Sequence, residues 1–258
     1  MKTIWLTSLC DEKEPVKGLM TQMKVYGIEI QGHFWQNDLK KMAWLNPLDE
    51  LLNKNIGAWI ISGSEKQLKE PDLRYGLSML ALSLQAQRGF GFPIIILQTT
   101  GDLLAARDLP TPLQNADILS ATNSGLGPKL VAKVHMPPKK IESAYHINIH
   151  ANEQIGQWIE IRPVNDIWPG VIFGVIGAKI SFQAVGPQGK LPDKSILNYP
   201  MQGLKINLGD KTYIAWATQN SVDSRTSYFV KVDEFPESIL FGPYSEDSEA
   251  DLFIMQLK

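Results

Sequence analysis

The chain has 258 residues, and its 25 Lys and Arg against 27 Asp and Glu leave a formal net charge of -2. With 44% hydrophobic and 20% charged residues, the composition is globular and excludes general disorder, and the length suffices for one large domain or two ordinary ones. The near-balanced charge predicts no nucleic-acid partner. The single cysteine excludes an intramolecular disulfide framework and a Cys-rich zinc site.

No apolar stretch approaches the ~20 residues that a membrane-spanning helix needs. The longest are runs such as Pro93–Leu97. The apolar start of the chain is interrupted by the charged residues of 11–14, so it is too short for the core of a signal peptide. We therefore expect a cytoplasmic protein with an intact N-terminus and no membrane partner.

Apolar runs alternate with helical periods over residues 1–136. The predicted strands are Ile4–Thr7, Ile28–Phe34, Ile56–Ile61, Pro93–Leu97 and Asp117–Ser120, and the predicted helices begin at Pro15, Pro71 and Gly127. Strands separated by helices of this length favour right-handed βαβ units and a parallel sheet. We therefore predict a five-stranded flavodoxin-like three-layer α/β sandwich with the strand order 2-1-3-4-5.

The second half changes character after a predicted linker at 137–144. The predicted strands, bounded by turn residues, are Tyr145–His150, Gln157–Ile161, Val171–Val175, Ala178–Ala184, Leu204–Leu208, Thr212–Thr218, Ser227–Val232 and Leu252–Leu257. Gly209-Asp210 is typical of a tight hairpin connection, and the acidic stretch Glu246–Glu249 is expected to be a solvated loop. This spacing predicts an antiparallel β-sandwich over residues 145–258.

Ligands of open parallel sheets bind outside the carboxyl ends of the strands, near the point where the strand order reverses. In the order 2-1-3, this rule brings together the loops that follow the first three strands. The candidate ligand-binding residues in these loops are Ser8, Cys10, Asp11, Glu12, His33, Trp35, Ser62, Gly63 and Ser64.

Several of these residues also have a structural interpretation. One interpretation of Ser62-Gly63-Ser64 is a polar turn and helix cap, and the other is a loop whose N–H groups hold an anion. No G-x-G-x-x-G or G-K-[ST] motif accompanies this segment. Cys10 and His33 end adjacent strands, which permits a thiol–imidazole pair, but a lone cysteine is typically a small buried residue. His146 and His150 lie ~13 Å apart if their segment is a strand, so we expect no metal site there.

The tryptophans and tyrosines of the second half also allow two interpretations. In one interpretation they line a groove for a sugar or peptide, and in the other they form the core of the sandwich. Trp168 lies in a predicted turn, so we expect it to be the exposed one.

Four features occur together in the first hundred or so residues. They are the strand Ile4–Ser8, the Gly27-Ile28 start of the second strand, the strand Trp59–Ser62, and a helix followed by Pro93–Leu97. This pattern resembles TIR-type domains and their relatives, the nucleoside deoxyribosyltransferase-like N-glycosidases. The resemblance implies a flavodoxin-like fold, self-association of the α/β domain and a ligand of the NAD or nucleoside class.

Active members of both groups carry a glutamate on the helix after the third strand. The matching segment here is Arg74–Ser78, which places Arg74 at the position of the glutamate. An arginine cannot stabilise or attack an oxocarbenium-like centre. We therefore expect Arg74 to contact an anionic ligand or to form a salt bridge on an exposed helix face.

These observations favour a non-catalytic signalling or nucleotide-binding protein that acts through the carboxyl edge of its parallel sheet and needs no cofactor. A first alternative is an N-glycosidase that cleaves NAD or a nucleoside, with Glu65 or Glu70 as its acid. A second alternative is a structural protein-interaction module whose sandwich is the adhesive surface.

Overall fold

The computed structural model describes residues 2–244 and 251–258, and the acidic stretch Glu246–Glu249 lies outside the described residues. The chain divides into two compact units: the first ends at Ile141 and the second begins at Glu142. We call them the α/β unit and the β unit, after the elements that each contains. Across the described part of the chain, no helix combines the length and the apolar character that crossing a bilayer requires.

A five-stranded parallel sheet forms the centre of the α/β unit. Its strands are β1 (Thr3–Ser8), β2 (Glu29–Phe34), β3 (Ile56–Gly63), β4 (Ile94–Gln98) and β5 (Asp117–Ser120). Its helices are α1 (Lys13–Lys24), α2 (Leu48–Leu52), α3 (Glu65–Leu68), α4 (Pro71–Arg88) and α5 (Leu126–His135). The strand order is β2-β1-β3-β4-β5 and all pairs are parallel, which confirms the predicted flavodoxin-like sheet.

The helices cover both faces of this sheet. The chain moves from β1 to β2 in one direction across the sheet and from β3 to β4 in the other, so right-handed crossovers put α1 and α4 on opposite faces. On the α1 face, Leu6, Ile60 and Leu97 of the sheet pack with Leu19 of α1 and Leu130 of α5. These three layers leave the carboxyl ends of the strands open at one edge.

Two short helices have no counterpart in the sequence prediction. They are α2, with five residues, and α3, with four. Neither is long enough to show an apolar period over two turns, so the pattern that predicts α1, α4 and α5 cannot find them. Helix α3 begins directly after Ser64, so the polar residues that follow β3 lead directly into a helix.

The segment expected to be a linker belongs in part to the α/β unit. A Cβ placed on Gly91 would lie 1.7 Å from the carbonyl oxygen of Lys139, so the two backbones are in direct contact. Residues from both segments also line a small cavity near Phe92 and Pro138. The boundary between the units falls after Ile141, within the expected linker range of 137–144.

The β unit consists of two antiparallel sheets. Its strands are β6 (Tyr145–Asn152), β7 (Gly156–Pro163), β8 (Val171–Ile176), β9 (Lys179–Pro187), β10 (Met201–Leu208), β11 (Lys211–Thr218), β12 (Thr226–Asp233), β13 (Ser238–Pro243) and β14 (Phe253–Gln256). One sheet has the order β10-β11-β8-β13-β14 and the other β6-β7-β12-β9. The ring of Tyr145 on β6 packs 4.9 Å from that of Phe241 on β13, so the sheets face each other. The predicted β-sandwich is confirmed.

Strand β13 is absent from the sequence prediction. Residues 238–242 of this strand are all buried, so its sequence lacks the polar alternation of a half-exposed strand. The predicted hairpin between β10 and β11 is confirmed: Gly209 takes a φ of 61° at the turn, a conformation that favours glycine.

The prediction that Trp168 is exposed is wrong. It is 5% exposed, its backbone pairs with Val222, and its ring stacks 6.4 Å from Phe253. Tyr213 and Tyr228 are also buried, whereas Tyr199 is 76% exposed. Aromatic residues of the second half therefore build much of the interior of the sandwich, as their core interpretation requires.

Candidate functional site

A cleft of about 700 Å³ opens at the carboxyl ends of β1, β3 and β4, on the α1 side of the sheet. It lies where the strand order reverses, between β1 and β3, which is the usual ligand position in this architecture. Its volume is within the range of small-molecule sites, about 300–1,000 Å³. The cleft is therefore the candidate functional site of the α/β unit.

Backbone hydrogen bonds fix the loops around the cleft. The N–H of Leu9 donates to the carbonyl of Ser62 at 2.8 Å, and that of Thr99 donates to Gly63 at 2.9 Å. The N–H of Ala121 donates to Gln98 at 2.8 Å. These bonds extend the sheet ladder beyond the strand ends, so the backbone at the rim of the cleft is hydrogen-bonded in the same way as the strands below it.

Gln67 joins the loops after β1 and β3. Its Oε1 accepts hydrogen bonds from the backbone N–H and the hydroxyl of Ser64, both at 3.0 Å, and Ser64 Oγ accepts from the N–H of Gln67 at 3.3 Å. This is a reciprocal capping box at the start of α3. Gln67 Nε2 donates to the carbonyl of Leu9 at 2.7 Å. The side chain thus sets the distance between the two loops.

Six of the sequence-predicted ligand-binding residues line this cleft. They are Ser8, Cys10, Glu12, Ser62, Gly63 and Ser64. Ser8 is buried and its hydroxyl donates to the carbonyl of Cys10 at 2.7 Å. Ser64 caps α3, as one interpretation predicts, and it also lines the cleft. The first and third loops therefore meet as the strand-end rule predicts, whereas Asp11 is exposed and lies outside the lining.

Other lining residues were not predicted from the sequence. Thr99 and Thr100 follow β4, and Gln22 and Gly18 lie on α1. The strand-end rule, applied to β4 as well, selects the two threonines. The S-x-x-Q spacing of Ser64 and Gln67 is a capping-box signal. No sequence signal identifies Gln22, because its role depends on how α1 lies against the sheet.

His33 and Trp35 lie beside the cleft and not in it. His33 lines a neighbouring cavity of about 130 Å³ that shares Leu6, Ser8 and Val16 with the cleft. Its Nδ1 accepts a hydrogen bond from the indole N–H of Trp5 at 3.2 Å. Burial lowers the pKa of His33 to about 4, so the ring is neutral at pH 7.

The structure therefore does not support the Cys10–His33 pair. The imidazole contacts Trp5 and Trp35, and Cys10 lines the larger cavity. Trp35 itself packs against α4: a Cβ placed on Gly76 would lie 2.8 Å from its Cζ2. The polar residues at the end of β2 thus belong to an aromatic cluster on the rim, and not to the cleft.

Glu65 and Glu70 are not among the residues that line the cleft. Glu65 Oε1 accepts from Lys69 Nζ at 2.6 Å, and its Oε2 accepts from the N–H of Asp102 at 2.9 Å. The bond from Lys69, followed by the bond from Asp102, holds the pKa of Glu65 below its usual value. A general acid must carry a proton at neutral pH, so Glu65 is unsuited to that role. Glu70 is exposed at the N-cap of α4.

Arg74 lies on α4, and its side chain bonds to a backbone carbonyl. Its side chain is half-buried, and its Nη2 donates to the backbone carbonyl of Asp108 at 2.8 Å. Burial lowers the pKa of this guanidinium, which the charge of Asp108 partly opposes. This bond to a backbone carbonyl stands where a salt bridge on an exposed helix face was expected, and the contact with an anionic ligand stays a prediction. Arg74 ties α4 to the loop that carries Asp108.

In the described part of the β unit, a buried carboxylate on β7 lies beside His150. Glu160 on β7 is 1% exposed, and its carboxylate accepts from His150 at 2.6 Å, from Ser227 at 2.6 Å and from the N–H of Gly189 at 2.8 Å. Burial raises the pKa of Glu160, but these three hydrogen bonds outweigh it and hold the pKa at about 2.

His146 and His150 lie on strand β6, as predicted. In the residues that the structure describes, no three His, Cys, Asp or Glu side chains converge as metal ligands.

Comparisons with known proteins identify no family. No protein-family model and no curated protein matches the chain. Similar solved structures include an NAD kinase from Archaeoglobus fulgidus in complex with ATP, with 12% identity, 92% of each chain covered and a TM-score of 0.29. A two-domain esterase (CEX) active on acetylated mannans, co-crystallized with mannopentaose, has 8% identity over 100% of this chain and 91% of its own, with a TM-score of 0.32. Similarity at this level supports no activity for this chain, so its function is argued from its own residues.

Proposed function

We propose that the α/β unit is a non-catalytic, TIR-like binding module that holds a nucleotide-like small molecule of the NAD class in the cleft. The observation that carries this proposal is the position of a 700 Å³ cleft at the reversal of strand order. Apolar side chains such as Pro15 and Val16 offer a surface for a flat ring, and hydroxyls of Ser62 and Thr99 offer hydrogen bonds. Self-association of the unit, which the TIR resemblance implies, is part of the same proposal.

The absence of a suitable acid supports the non-catalytic form. Glycoside cleavage uses a protonated carboxylic acid and a second carboxylate on either side of the bond. Glu12 is the only carboxylate among the described residues that line the cleft, and Glu65 is ionised and bonded to Lys69. We therefore expect binding of NAD without release of nicotinamide.

The test is calorimetric titration with NAD, with chromatography of the same mixture after incubation. Gly18→Trp adds a large ring at a position of α1 that lines the cleft and where a Cβ has no atom within 4 Å, so we expect it to obstruct the cleft. Lys17→Trp is the matched control, since it places the same ring on the exposed face of the same helix. We expect heat of binding in the wild type and the control, none in Gly18→Trp, and no free nicotinamide. Equal binding by both variants would place the ligand elsewhere, and nicotinamide release would make the protein an N-glycosidase.

A further inference from the structure

The charge of the cleft restricts what it can hold. Among the described residues of its lining there is no lysine, arginine or histidine, and Glu12 is the only charged side chain. Lys17 and Lys69, which lie near the lining in sequence, are paired with Glu14 at 2.8 Å and with Glu65 at 2.6 Å, and Lys13 and Lys66 are not part of the lining. A phosphate buried here would lose its hydration without gaining a cationic partner.

The start of α1 does not supply the missing positive charge. The N-terminus of a helix attracts anions through its free N–H groups. Here the N-cap residue is Glu12, which also lines the cleft, so a carboxylate already lies at the position that a phosphate would take. Its negative charge repels an anionic group at this end of the cleft.

The remaining polar groups suit an uncharged, hydroxyl-bearing ligand. The side chains of Ser62, Thr99, Thr100 and Gln22 line the cleft, and within the described structure none of them hydrogen-bonds to another protein group. Hydroxyls and amides both donate and accept, so they match sugar hydroxyls in either sense. The carboxylate of Glu12 only accepts, and a pair of adjacent hydroxyls offers it two donors.

We infer that the cleft binds the glycosyl part of its ligand, that Glu12 accepts hydrogen bonds from vicinal hydroxyls of that group, and that any phosphate stays outside in solvent. This inference rests on the proposed function, because it assigns the orientation of a ligand in the same cleft. Glu12 is then the residue that determines specificity for a sugar over a phosphate. The cleft disfavours a phosphate because its described lining contains no cation, and it favours a sugar because its hydroxyls form hydrogen bonds with sugar hydroxyls.

A ligand series tests the orientation. Adenosine, AMP, ADP and NAD are titrated into the full-length protein at one ionic strength, and the Kd of each is measured by calorimetry. We expect adenosine to bind at least as tightly as AMP and ADP, because the phosphates gain no contact. A Kd that falls about tenfold with each added phosphate overturns the inference and leaves the proposed function standing. Failure of all four to bind overturns the proposed function and the inference together.

Two variants test the role of Glu12. In Glu12→Gln we expect the Kd for adenosine to rise about tenfold, the loss typical of a charged hydrogen bond, and the Kd for 2′,3′-dideoxyadenosine to stay unchanged. Glu14→Gln is the matched control, because Glu14 is paired with Lys17 and is not in the cleft lining, and it should leave both values unchanged. If Glu12→Gln tightens AMP and leaves adenosine unaffected, Glu12 only repels phosphate and the hydrogen bond to the sugar is disproved.

Discussion

His33 shows how a residue that resembles a catalytic group is held inactive by its surroundings. Its ring lies between Trp5 and Trp35, and its Nδ1 accepts the hydrogen bond from the indole of Trp5. A protonated imidazole has no free acceptor, so protonation breaks this bond. Burial, which lowers the pKa to about 4, and the hydrogen bond both favour the neutral ring. Neutral His33 thus links β2 to β1 through Trp5.

This geometry predicts how His33 contributes to stability as a function of pH. Its pKa in the folded protein is about 4, below the usual 6.5, so the unfolded chain binds the proton more readily. The contribution of neutral His33 is therefore complete above pH 6.5 and is lost as the pH falls towards 4. Denaturant titrations of the wild type and His33→Gln across this range should give a difference in unfolding free energy that shrinks with falling pH. A difference independent of pH contradicts a neutral, buried His33.

Two glycines in two helices show that packing decides more than propensity at the element scale. Gly18 on α1 faces open space, whereas a Cβ on Gly76 of α4 would lie 2.8 Å from Trp35 Cζ2 and 3.4 Å from Trp44 Cβ. Both positions are helical with negative φ, so neither needs glycine for its backbone. The sequence presents them as equivalent, and only the neighbours of each distinguish them.

The same substitution should therefore have opposite effects at these positions. Gly18→Ala should stabilise the protein by about 0.5–1 kcal/mol, the usual gain of alanine over glycine within a helix. Gly76→Ala should destabilise it by about 1–3 kcal/mol, because the new methyl group collides with the rigid ring of Trp35. Guanidinium denaturation followed by tryptophan fluorescence measures both. A stabilised Gly76→Ala would show that Trp35 moves freely and does not pack on α4.

At the scale of the whole molecule, the sequence predicts the architecture better than the site. The strand order follows from the alternation of apolar runs and helices, and the hairpin at Gly209 follows from its turn residues. The strand-end rule selects Ser8, Ser62 and Ser64, which line the same cleft. The same rule also selects His33 and Trp35, which lie beside the cleft, because their packing against aromatic rings and α4 has no local signal in the sequence. The bond of Arg74 to the distant carbonyl of Asp108 has no local signal either. The bonds of Glu65 can be predicted only in part. Lys69 follows it by four residues in the sequence, whereas the N–H of Asp102 is distant in sequence and gives no local signal.

The boundary between the units gives a prediction for the chain as a whole. The sequence places the end of the α/β unit at residue 136, before Pro137-Pro138, whereas the structure places it at Ile141. The difference matters because Lys139 lies in backbone contact with Gly91, just before β4.

A fragment of residues 1–141 should therefore melt at a higher temperature than one of residues 1–136, whereas extension from 141 to 144 should change little. Thermal denaturation of the three fragments, followed by circular dichroism, makes the comparison. Removal of 137–141 exposes the apolar surface of Phe92 and Pro93, which these residues help to enclose. Equal melting temperatures for the two shorter fragments would mean that the segment is a linker after all, and that its contact with Gly91 contributes nothing to the fold.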